Sequence, residues 1–196
     1  TARVRSYALA HHDDAGRLKT HAVLDPDVAQ LRTMLESCIA NKQTIVGWNV
    51  AFDAAWLIAY GLEELVMQAQ WLDAMLLWKH LTIEPEYDTA RAKKKSYSLK
   101  TAVAEEFPDY AGYEDGVDFE ADDEAGIKRL LKYNQLDTAF TLRLAERYYN
   151  RLTPAQLRNA KIEAACIPMI AKTFVMGLTI DLEAATTLDE KLAQIA

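Results

Sequence analysis

The sequence predicts an α/β fold, and three observations carry that prediction. Strand-like runs and stretches of helical period alternate along the chain up to about Arg151. The stretch TIVGWNVAFDAAWL, residues 44–57, joins a short apolar strand to a helix through Gly47. The stretch IKRLLKYNQLDTAFTLRL, residues 127–144, repeats Ile127, Leu130, Leu131, Phe140 and Leu144 at helical spacing.

Composition narrows the class. With 196 residues, of which 51% are hydrophobic, the chain can build one large domain, or one domain and the beginning of another. A net charge of -7 argues against a protein that grips duplex DNA over a broad basic surface, because such binding neutralises many phosphates. It leaves room for a metal-dependent nuclease, whose site is built from carboxylates. Cys38 and Cys166 stand far apart without a C-x-x-C pair, which argues against a disulfide framework or a zinc site. No apolar run reaches bilayer-spanning length and no leader pattern opens the chain, so a cytoplasmic protein with no membrane partner is expected. The chain opens without methionine at a strand and stops within a helix, so it reads as a piece of something longer.

Taken in order, VRSYALA (4–10) and LKTHAVL (18–24) alternate as strands, and the polar HHDDAG (11–16) turns between them to make a hairpin. His11, His12, Asp13 and Asp14 do not make a metal site there, since neighbours in a strand point to opposite faces. Asp25-Pro26-Asp27 supplies a cap and a first-turn proline for a helix with the stripe Val28, Leu31, Leu35, Cys38 and Ile39. Thr44 to Val46 is a buried strand, and the helix from Phe52 to Tyr60 stops at Gly61. Asn49 and Asp53 therefore sit just beyond the carboxyl end of a strand, where ligands gather in α/β proteins. Gln70 to Leu72 is a second short strand, parallel to the first, and Asp73 caps the helix that follows. His80 is a partner of that helix's dipole.

Arg91, Lys93, Lys94 and Lys95 end a polar connection that is either solvated loop or a contact to a nucleic-acid backbone. Ser98 caps a short helix running to about Phe107. Asp109 to Glu124 is acidic and glycine-bearing, and is expected to be an exposed loop facing away from any bound strand. Asp122 or Asp123 caps the long helix, on which Tyr133 and Asp137 share one face. Thr153-Pro154 marks a helix start and a boundary, giving units of 1–152 and 153–196.

N-V-A-F-D at Asn49–Asp53 and Y-x-x-x-D at Tyr133–Asp137 resemble the second and third motifs of the 3′–5′ exonuclease superfamily that includes proofreading domains. The tyrosine version is the one of DNA polymerase I-like, family A polymerases and of ribonuclease D. The stretch from Leu157 through Met176-Gly177-Leu178-Thr179-Ile180-Asp181 resembles the passage from exonuclease into polymerase domain. The resemblance implies a ribonuclease H-like three-layer fold with a mixed central sheet. It also implies a first strand carrying D-x-E, and the chain has no such pair before its hairpin.

The implied chemistry is removal of 3′-terminal nucleotides from a single-stranded DNA end, next to the polymerase domain of the same parent chain, in a bacterial cell or phage-infected bacterium. Asp53 and Asp137 would be ligands of Mg2+ or Mn2+, two ions in the complete site, since two metals about 3.5–4 Å apart clamp both ends of the displacement. Tyr133 would orient the attacking water. Trp48, Asn49 and Phe52 would meet the terminal nucleotides, the two rings by stacking, with core packing as the other use of those rings. A ribonuclease D-like RNA exonuclease and a catalytically inactive scaffold within a polymerase remain as alternatives.

Overall fold

A computed structural model describes residues 4–82, 96–177 and 181–193, and it is a mixed α/β structure. The basic run 91–95 lies outside the described residues, as do 178–180. Strands β1 (Ser6–His12) and β2 (Leu18–Leu24) pair antiparallel, with Ser6 opposite Leu24 and His12 opposite Leu18. The hairpin is tighter than HHDDAG predicts. His11 and His12 remain in β1, and the reversal is closed by Asp13, whose carboxylate accepts the N–H of Ala15 at 3.0 Å and of Arg17 at 2.9 Å.

Helix α1 (Val28–Ala40) is capped by Asp27, which exchanges side-chain and backbone hydrogen bonds with Gln30. Pro26 thus precedes the cap and is not in the first turn. Strand β3 (Thr44–Gly47) leads into α2 (Ala51–Ala59), and Gly61, at φ 78°, ends that helix as predicted. The short α3 (Glu63–Gln68), which the sequence reading does not assign, returns the chain to β4 (Gln70–Asp73). Strand β4 is parallel to β3, Thr44 opposite Gln70 and Gly47 opposite Asp73. Then come α4 (Ala74–Thr82), α5 (Leu99–Glu106) and the long α6 (Glu124–Tyr149). Ser98 and Asp123 cap the last two through the N–H groups of Thr101 and Gly126.

The hairpin does not join the Thr44 strand in one sheet. Two two-stranded sheets, β1–β2 and β3–β4, lie against α6 with no ladder between them among the described residues. Strand β3 consequently has one hydrogen-bonded neighbour, and it is not the buried strand expected: Thr44 is exposed and Ile45 and Val46 are half-buried. Apart from the exposed Lys132, residues 131–139 of α6 are half-exposed, whereas Leu130, Phe140 and Leu144 are buried.

Two apolar clusters hold these elements. One gathers Leu31, Leu35, Ile58, Leu62 and Val66; the other gathers Leu77, Trp78, Val103, Phe140, Leu144 and Tyr148. Each such side chain contributes roughly 1.5–3 kcal/mol by leaving water. Thr153 and Pro154 do start a helix, α7 (Pro154–Ala165), through a capping box with Gln156. The core nevertheless continues past this point. Ala160 of α7 joins the second cluster, and Ile167 and Ala171 of α8 (Ile167–Met176) join the first, with α8 packed along α2. Gly177, at φ 70°, ends α8, and Asp181 caps α9 (Leu182–Ala193). No helix of the described residues is long and apolar enough to cross a membrane.

Candidate active site

The corner between β3 and α2 is built from backbone upward. A Cβ on Gly47 would lie 2.5 Å from Cγ2 of Val50, so only glycine allows the chain to fold back this closely. Asn49 takes the left-handed conformation at φ 56°, which asparagine tolerates better than most residues. Asp73, 3% exposed at the end of β4, accepts the N–H groups of Asn49 at 3.0 Å and Val50 at 3.1 Å. It also takes the N–H of Met75 at 2.9 Å, so the predicted capping role holds, and the two bonds to the corner come in addition. Burial pushes the Asp73 carboxyl above its ordinary value, and these backbone bonds oppose the rise.

So pinned, the corner separates its side chains. Asn49 and Asp53 are exposed, and Phe52 is 57% exposed with its ring edge against Trp56 at 6.4 Å. Trp48 points the other way. Its indole N–H donates to the Tyr97 carbonyl at 2.9 Å and its ring lies 5.7 Å from Trp78, at the second core cluster. Of the two rings expected to meet nucleotides, Trp48 is used for packing and Phe52 is open.

Asp53 combines two properties that differ at first sight. By surface area it is exposed, yet the crowding of protein atoms around its carboxyl pushes its pKa up to about 6, with the nearby Asp73 charge adding to the rise. The exposed surface of Asp53 lets solvent screen part of that effect.

On α6, Tyr133 and Asp137 are half-buried on one face. The loop between α5 and α6 does not face away from them. It folds over them, and Tyr113 of that loop donates its hydroxyl hydrogen to Oδ1 of Asp137. The Tyr113 ring stacks on Tyr133 at 5.9 Å, and Phe119 meets Tyr133 edge-on at 5.5 Å. Glu114 pairs with Lys100 at 3.2 Å through one oxygen, while its other oxygen is buried without a hydrogen-bond partner. Burial holds the Asp137 carboxyl above its ordinary value despite the Tyr113 and Tyr133 phenols. The Tyr133 hydroxyl is pushed up by burial and by the Asp137 charge. The acidity of the loop hid its aromatic residues; Tyr110, Tyr113 and Phe119 in an otherwise polar segment were the available signal.

Both carboxylates border β3: Asp53 on the helix that β3 feeds, and Asp137 on the helix that packs against it. The charged neighbour acting on Asp53 is Asp73, and those acting on Asp137 are Glu114 and Lys100. Among the described residues no three His, Cys, Asp or Glu side chains gather into a metal-holding group. The donors are hard carboxylate oxygens with raised pKa, a set that suits a magnesium-type ion bound through one or two carboxylates and completed by water and phosphate. His12 and His80 are engaged elsewhere, with Glu146 at 2.8 Å and Glu163 at 3.1 Å. Neither the known protein families, nor curated proteins, nor solved structures provide a match to the chain.

Proposed function

We propose that this chain carries a 3′–5′ exonuclease site of the proofreading type, acting on the 3′ end of a single DNA strand within a DNA polymerase of the family A kind. The observation that carries this reading is Asp53. It is an exposed carboxyl with a raised pKa beyond the end of a strand, on a corner whose backbone Asp73 hydrogen-bonds. The pairing of Tyr133 with Asp137 on a helix against the same strand supports it.

In the reaction, a water oxygen attacks the terminal phosphorus, the P–O3′ bond breaks, and the departing 3′ oxygen takes up a proton, releasing a nucleoside 5′-monophosphate. Asp53 and Asp137 would hold Mg2+ or Mn2+, which when bound would supply a more acidic water and offset charge on the phosphate. Tyr133, whose hydroxyl is kept protonated by burial and by Asp137, orients the water and is not its base. Phe52 offers its exposed ring to the terminal base.

A ribonuclease H-like sheet is proposed in which β1–β2 and β3–β4 are its two sides, and a further strand between β1 and β3 brings the D-x-E carboxylates. The exposed apolar side chains of α8, Met169, Phe174 and Met176, suit contact with a polymerase domain of the same parent chain. A bacterial or phage-infected cytoplasm fits that parent. The inactive-scaffold reading is favoured by one observation, the lack of a third acid beside Asp53 or Asp137 among the described residues.

The test compares residues 1–196 with a chimera carrying a D-x-E strand joined ahead of Thr1, on a 5′-labelled single strand in Mg2+ or Mn2+. Little degradation by the first and stepwise 3′ shortening by the second is expected. Asp53→Ala in the chimera should abolish shortening, and Tyr133→Phe should lower it by about 10²-fold. Shortening that survives Asp53→Ala contradicts the assignment. A chimera that never shortens the strand supports the scaffold.

A further inference from the structure

Tyr113 stands outside the residues assigned above, yet it makes the most direct contact with one of them. Its hydroxyl donates to Oδ1 of Asp137, its ring stacks on Tyr133 with planes 17° apart, and it also meets the Phe140 ring at 5.1 Å. The loop that bears it is closed on itself: the Tyr113 N–H reaches the Tyr110 carbonyl at 3.2 Å and the Asp115 N–H reaches the Gly112 carbonyl at 2.9 Å. Next along the chain, Glu114 is tied to Lys100 of α5. The phenol is therefore delivered from a braced segment, and it is not a side chain that happens to lie nearby.

A carboxylate has about four lone-pair sites, so the bond from Tyr113 leaves room on Asp137 for a cation. What the bond removes is rotation. An unrestrained aspartate on a helix has to be ordered as the cation arrives, whereas one held by an outer hydrogen bond is already oriented, and such outer partners typically contribute 10–100-fold to metal affinity. The same ring covers one face of Tyr133, which limits where the water-orienting hydroxyl can swing.

We propose that Tyr113 is a positioning residue, fixing the Asp137 carboxylate through Oδ1 for a divalent cation and the Tyr133 ring through stacking. This rests on Asp137 being a cation ligand. Tyr113→Phe keeps the ring and its stacking and removes only the hydroxyl, so it isolates the hydrogen bond.

Mn2+ binding to residues 1–196 is titrated by the paramagnetic resonance of free Mn2+, for the unaltered chain, Tyr113→Phe and Asp137→Asn, with thermal midpoints from circular dichroism. Asp137→Asn is expected to abolish the binding, and Tyr113→Phe to weaken it about 10–100-fold while the midpoint stays near that of the unaltered chain. Equal binding by Tyr113→Phe, with Asp137→Asn silent, overturns the positioning role alone. Mn2+ binding that ignores Asp137→Asn, or an unaltered chain that binds no Mn2+, overturns the site and Tyr113 with it. Should Tyr113→Phe melt near the assay temperature, the titration is repeated in the cold, and the same two outcomes decide.

Discussion

The Asp73 carboxylate accepts the backbone N–H of Asn49 at 3.0 Å, tying the end of β4 to the corner that ends β3. An acid predicted only to cap a helix thus braces the turn that presents Asp53. Removing it leaves the N–H groups of Asn49, Val50 and Met75 without their acceptor in a place where Asp73 itself is 3% exposed. Asp73→Ala should therefore destabilise the chain by about 2–4 kcal/mol in urea unfolding. Asp73→Asn, which retains an acceptor oxygen, should lose less. A change below about 0.5 kcal/mol for Asp73→Ala would mean that water replaces the carboxylate.

Gly47 makes an independent demand on the same corner. Its added methyl would meet both Cβ and Cγ2 of Val50, at 2.6 and 2.5 Å, so the backbone has to shift. Gly47→Ala should cost about 1–3 kcal/mol, as overpacking does. Gly61→Ala meets no atom within 4 Å but sits at φ 78°, so its cost is backbone strain alone. Unfolding curves for the two variants separate a steric penalty from a conformational one: Val50→Ala, which removes Cγ2 but keeps Cβ, should relieve part of the first and leave the second unchanged.

The raised carboxyl of Asp53 has a direction in pH. From an ordinary 3.8 it moves to about 6, so between these values the folded chain binds a proton that the unfolded chain has released. Its contribution to stability is present below pH 4 and is lost as pH rises through about 6. Asp53→Asn should accordingly be more stable than the unaltered chain at pH 7, and the two should converge near pH 4. The exposure of Asp53 to solvent reduces the size of the difference without changing its sign. Urea unfolding from pH 4 to 8 reads this directly, and a variant less stable at pH 7 would contradict the environment assigned to Asp53.

Local patterns were legible in the sequence wherever a single residue type decides a local geometry. Ser98, Asp123 and Thr153 fell at helix starts as their side chains require, and Gly61 at a helix end. The pairing of β1 with β2 followed from the polar turn between them, and that of β3 with β4 from the alternation of strands and helices. The separation of the two sheets did not, because pairing between distant strands leaves no local mark on either. The second role of Asp73 was hidden for the same reason, since its partners Asn49 and Val50 lie on the neighbouring strand's turn. Tyr113 was missed because charge dominates the composition of its loop, while the contacts that fold the loop over Asp137 come from its few aromatic rings.

Whether Asp53 and Asp137 serve one cation-dependent site is read from a crystal of this chain grown with Mn2+ and a short single-stranded oligonucleotide, through the anomalous scattering of the metal. The expected result is an ion with carboxylate oxygens of Asp53 or Asp137 at about 2.1 Å, completed by water and a phosphate oxygen, and the two carboxylates converging on the same phosphate. Carboxylates held more than about 10 Å apart, beyond the reach of two-metal spacing, with the ion bound elsewhere, would contradict it.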